Sequence, residues 1–122
     1  MNCPCGTGRP FDDCCGPVLA GTPAATAEAL MRSRFSAFSL GDVAHLERSW
    51  ASETRPANVT VDPDQRWVRL EVIDTVKGRQ LDAEGVVEFR AHFERNGKAG
   101  IRAERSRFRR EAGRWVYVDG ED

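Results

Sequence analysis

Apolar and polar positions alternate along the chain with two different periods. Ala27, Leu30, Met31, Phe35 and Phe38 recur at helical spacing through Leu40. Thr26 is placed to cap that helix, and Glu28 sits favourably in its first turn. Gly41 predicts its end, and Asp42 predicts the cap of a second short helix with Val43, Leu46 and Trp50 on its apolar side. A polar stretch runs from Ala51 to Gln65. Beyond it the period drops to two. Residues 67–76 alternate with Val68, Leu70 and Val72 on one side. Residues 86–94 set Val87, Phe89, Ala91 and Phe93 against Glu88, Arg90, His92 and Glu94. Two further strands are predicted over 101–110 and 115–118, with turns at Asn96-Gly97 and Ala112-Gly113. Helices followed by an antiparallel meander predict an α+β fold.

Face matching predicts a register for the central hairpin. Phe93 opposite Ile101 sets Ala91 against Ala103 and Arg90 against Glu104. This needs a bulge near 98–100, because a two-residue Asn-Gly turn shifts the pairing by one. On that reading Val87, Phe89, Ala91, Phe93, Ile101, Ala103, Val116 and Val118 pack on the helices. Glu88, Arg90, His92, Arg102, Glu104, Ser106, Phe108, Trp115 and Tyr117 form the outer face.

The chain has 122 residues, the size of one domain. Acids number 19 and bases 18, for a net charge of −1, which argues against a nucleic-acid binder. The longest apolar run, Trp115 to Val118, falls far short of a membrane span of ~20 residues. The sequence opens without a secretory leader, so a cytoplasmic protein is expected.

All four cysteines, Cys3, Cys5, Cys14 and Cys15, fall in one short segment. Two close pairs can place four thiolates around one tetrahedral zinc at ~2.3 Å each, leaving no open position for catalysis. Gly6 and Gly8 allow a sharp turn after the first pair, and Arg9 is placed to offset the negative charge of the site. Redox-active thiols or an iron–sulfur site are the alternatives. Catalytic patterns are sparse. His45 is expected to be exposed on its short helix, and His92 lies among charges. Neither is near a nucleophile motif, and Glu104 reads as a structural ion-pair partner of Arg90.

Cys-x-Cys-x8-Cys-Cys with Gly6-x-Gly8 and Gly16 resembles the SEC-C motif, found at the C-terminus of the bacterial preprotein translocase ATPase. There it binds zinc and contacts partners, commonly with His where this chain has Cys15. The segments 16–21 and 26–38 and the ending 114–120 resemble the bacterial YchJ-like family. That resemblance implies a zinc motif over 1–21 and a nuclear-transport-factor-2-like cone over 22–122. Two functions are then expected to compete. The first is a zinc-binding adaptor docking a protein partner through Phe11 and Arg9 on the knuckle. The alternative is a small-molecule-binding protein or enzyme using a pocket of the cone, with Arg34, Trp50, Arg105 and Arg107 at its mouth.

Overall fold

The computed structural model describes residues 1–121. Its elements run in chain order as a 3-10 turn (Phe11–Asp13), α1 (Cys15–Leu19), α2 (Ala27–Leu40), α3 (Val43–Arg48), β1 (Gln65–Lys77), β2 (Glu84–Arg95), β3 (Lys98–Glu111) and β4 (Arg114–Glu121). The fold is α+β, with helices laid on one face of a four-stranded antiparallel sheet of order β1-β2-β3-β4. No helix is long and apolar enough to cross a membrane.

Local chemistry sets the helix ends. Thr26 Oγ1 accepts from Ala29 N at 3.0 Å, and Gly41 adopts φ 74°, which lets its N–H return to Ala37 O. Asp42 Oδ1 then accepts from His45 N at 3.1 Å to start α3. The inner face of α2 contributes Leu30, Met31 and Phe35 to a core shared with Leu70, Val87, Phe89, Ala91, Phe108 and Trp115. The start of α2 presses closely on the sheet. Ala27 N donates to Gly78 O at 2.9 Å, and a Cβ on Gly78 would lie 2.7 Å from that of Ala27.

The central hairpin corrects the register expected from face matching. Asn96 and Gly97 both take positive φ, 52° and 78°, as a two-residue turn requires, and Arg95 pairs directly with Lys98. The pairing therefore runs Phe93 with Gly100, Ala91 with Arg102, Phe89 with Glu104 and Val87 with Ser106, without a bulge. Paired residues share a face, so the inner side of β3 carries Arg102, Glu104, Ser106 and Phe108. Ile101 points outward and is 58% exposed. The turn geometry outweighs the gain from burying Ile101 and Ala103. Gly100 makes this possible at the tip, because the Phe93 ring lies where its Cβ would be.

Trp115 and Tyr117 also face the helices rather than solvent. Trp115 Nε1 donates to Ala25 O, and the Tyr117 ring packs edge-on to Trp50. The chain after α3 adds a short parallel bridge to β4, with Ala51 N donating to Tyr117 O and Tyr117 N to Ser49 O. Edge strand β1 carries two register breaks, at Val68 and Ile73, and both side chains are turned outward. Val68 thus leaves the face it was expected to share with Leu70 and Val72.

His45 is buried rather than exposed. Its Nε2 lies 2.9 Å from Ser33 Oγ, between α2 and α3. Burial, reinforced by Arg48 and Arg34, pulls its pKa down to about 4, against a weaker opposing pull from Asp42.

Candidate metal centre and cavity

The first nineteen residues form a knuckle built by backbone turns. Cys3 N donates to Arg9 O at 2.9 Å and Gly6 N to Cys3 O at 3.2 Å, with Gly6 at φ 86° and Gly8 at φ 82°. The 3-10 turn and α1 then return Cys14 and Cys15 to the first pair. All four Sγ atoms lie within 4.8 Å of one another, and Cys5 and Cys14 are 3.6 Å apart. A tetrahedral zinc with Zn–S bonds near 2.3 Å would set its sulfurs about 3.8 Å apart, so the donor set fits a metal of that kind.

The thiols already share protons unevenly. Cys5 is pulled down to about 4, first because Cys15 donates to it and further by Thr7, Cys3 and Cys14, against burial. Cys15 is pushed up by the same bond and by burial.

The knuckle is docked on α2. Arg32 Nη1 donates to Cys5 O at 2.9 Å, and Cys3 Sγ lies 3.6 Å from Ser36 Oγ. Cys3, Cys5 and Cys15 belong to the same apolar cluster as Phe35 and Phe89. Arg9 is exposed, so the guanidinium bonded to the cysteine loop belongs to Arg32, which the spacing of the motif did not single out. Phe11 is half-buried and packs against that cluster, its ring 3.2 Å from where a Cβ on Gly16 would sit.

A second feature lies between α2 and the sheet. A cavity of about 310 Å³ is walled by Phe35, Phe38, Trp67 and Phe89 on its apolar side and by Arg34, Trp50, Glu104 and Tyr117 on its polar side. Arg34 is 3% exposed. Its Nη1 donates to Leu46 O (3.0 Å) and Ser49 Oγ (2.7 Å). Its guanidinium lies over the rings of Trp50 and Tyr117, at 4.9 and 4.6 Å from their centroids. Burial lowers its pKa to about 10, so it remains a cation at neutral pH. Glu104 accepts from Arg102 Nη2 (2.9 Å), Ser106 Oγ (2.6 Å) and Tyr117 Oη (3.1 Å). Burial and the neighbouring Glu104 push the Tyr117 hydroxyl upward, so it stays a donor.

The structure brings Arg34 and Trp50 together, as the sequence reading expects, and separates them from Arg105 and Arg107. Those two arginines lie on the outer face of β3. Arg105 pairs with Glu88 at 2.8 Å and with Asp74 at 3.5 Å, and Arg107 is held by both oxygens of Asp119. Their expected place at the pocket mouth is taken by Arg102 and Glu104, because the hairpin register turns the even-numbered residues inward. Glu104 is accordingly opposite Phe89, not Arg90. The two-residue Asn-Gly turn was the sequence feature that could have found them.

A cysteine knuckle clamped to the first long helix of a cone-shaped α+β domain defines a recognisable class. Residues 2–17 match the SEC-C motif. Residues 26–120 match the family described as YchJ, middle NTF2-like domain, and the chain belongs to that family. It is 49% identical over 120 residues to the UPF0225 protein of Streptomyces coelicolor, covering 98% of this chain and 94% of that one. The UPF0225 protein of Chromobacterium violaceum is 48% identical over 123 residues, with 97% and 90% covered. The solution structure of a SEC-C motif containing protein from Rhodopseudomonas palustris superposes with a TM-score of 0.86 at 37% identity, over 99% of this chain and 98% of that one. A crystal structure of a SEC-C motif containing protein from Psychrobacter arcticus gives a TM-score of 0.79 at 25% identity, covering 98% and 81%.

Proposed function

We propose that this protein is a cytoplasmic small-molecule-binding cone whose N-terminal knuckle is held by one structural zinc ion. The observation that carries this reading is the cavity, with its apolar wall and its few convergent polar groups. Zinc is favoured by four thiols at tetrahedral spacing, and free thiols suit a reducing compartment. Four cysteine ligands would leave the metal no open position, so its use is to fix shape. The knuckle grips α2 through Arg32 and Ser36, and the same helix supplies Arg34, Phe35 and Phe38 to the cavity. Metal binding therefore supports the wall of the ligand site. A docking role for the knuckle draws less support, since Phe11 packs inward and leaves Arg9 as its exposed member.

The test is an amide NMR titration of the zinc-loaded chain against small aromatic and alicyclic compounds, both neutral and charged. Saturable shifts centred on Phe35, Phe89 and Tyr117 are expected. Shifts confined to the outer sheet face or the knuckle, or no saturable binding, would reject the reading. Elemental analysis should give one zinc per chain, and a clearly substoichiometric value after anaerobic, chelator-free preparation would reject the metal assignment.

A further inference from the structure

We infer that the cavity takes a compact organic monoanion, an aromatic or alicyclic carboxylate, with its carboxylate seated on Arg34. This rests on the cavity being a ligand site. The cavity wall holds a charge without a counter-charge. Arg34 is buried, and among the described residues no carboxylate lies within ion-pairing distance of it. Its two protein hydrogen bonds both leave from Nη1, and both go to neutral oxygens. Nε and Nη2 have no hydrogen-bond acceptor among the described residues. Stacking between Trp50 and Tyr117 fixes the plane of the guanidinium without neutralising it. A buried cation left in this state is costly, and an arriving anion removes that cost.

The carboxylate already in the wall does not fill the role. Glu104 lies near enough to Arg34 to act on it electrostatically, but its oxygens are taken by Arg102, Ser106 and Tyr117. The polar wall holds a second unanswered donor. Trp50 Nε1 is buried with no partner among the described residues. Donors on Arg34 and on Trp50 thus lack acceptors while the carboxylate of the wall is satisfied, so the missing component is an acceptor. Guanidinium pairs with carboxylate in a planar, charge-assisted geometry. The rest of the cavity asks for an apolar body, because Phe35, Phe38, Trp67 and Phe89 offer ring faces and edges. The volume of about 310 Å³ lies at the small end of ligand pockets, which span roughly 300–1,000 Å³, and suits a single ring bearing one acid group.

The experiment compares acids with their uncharged amides on the full zinc-loaded chain. Benzoate, phenylacetate and cyclohexanecarboxylate are titrated calorimetrically at pH 7.5, each beside the matching amide. At least one acid should bind one to one and about tenfold or more tighter than its amide, as one charge-assisted hydrogen bond predicts. Arg34→Met should abolish that preference while leaving amide binding within a few-fold. Equal binding of acid and amide overturns the anion proposal and leaves the cavity reading intact. Absence of binding by every member of the set overturns both. The wild-type comparison decides the matter even if Arg34→Met fails to fold.

Discussion

Lowering the pH from 7 to 5 should destabilise the protein through His45. Ser33 Oγ donates to Leu30 O at 2.7 Å, so the hydrogen between Ser33 and His45 belongs to His45 Nε2. Nδ1 is then an unprotonated, buried nitrogen with no partner among the described residues. Protonation would add a charge and an unpaired N–H, with Arg34 and Arg48 repelling it. The folded pKa is about 4 against 6.5 for a free histidine, so the unfolded chain binds more protons between those values. The stabilisation is therefore complete above pH 6.5 and is lost as pH falls toward 4. Linkage gives a loss of about 2 kcal/mol between pH 7 and pH 5. Acid also weakens any thiolate–metal bond, so the measurement is a difference. Urea unfolding of wild type and His45→Gln is compared at both pH values, since glutamine can still donate to Ser33 but cannot charge. Wild type should lose about 1 M more in midpoint than the variant, at an m-value of about 2 kcal/mol/M. Equal losses in the two proteins would refute the buried neutral histidine.

Removing metal with a chelator should free residues 1–21 from α2 while the sheet and helix signals in circular dichroism persist at 20 °C. The melting temperature should fall by more than about 5 °C, the equivalent of about 1 kcal/mol in a domain of this size. An unchanged melting curve, or global unfolding at 20 °C, would contradict that division. Gly120→Ala should cost about 1–3 kcal/mol, because the new Cβ would collide with Glu104 Oε2 and break its bonds to Ser106 and Tyr117. An unaltered urea midpoint would mean that Glu104 moves aside freely.

Local rules carried the helical half of the molecule. Thr26, Gly41 and Asp42 mark boundaries through bonds made within a few residues, so their meaning survives without knowledge of the tertiary fold. The cysteine spacing was equally legible, since ligand geometry is short-ranged. The sheet faces were not. Two cues conflicted at 96–100, the Asn-Gly turn and the apolar pattern of Ile101 and Ala103, and the turn decided. That single choice moved Arg102, Glu104 and Ser106 from the expected outer face to the inner one, and with them the chemistry of the cavity. Arg34 could be proposed for a pocket mouth, but its missing counter-charge depends on Trp50, Tyr117 and Glu104 arriving from sixteen to eighty-three residues away. His45 was misread for a related reason. Its partner Ser33 lies on another helix, and one polar residue on a short helix carries no sign of which side is covered.

The meander has a kinetic consequence. Each strand pairs with its sequence neighbour, so the sheet can close by successive hairpins, each with a small loop-closure cost. The cavity between α2 and the sheet cannot form in that way. Its walls come from α2, the segment after α3, and all four strands, and it exists once the helices have settled on a finished sheet. Contacts around Arg34 are therefore expected to form late on the folding path, after the barrier. A molecule that fills the cavity acts on the native side of that barrier. It should slow unfolding while leaving the folding rate nearly unchanged, and so would lengthen the lifetime of the filled protein rather than hasten its assembly.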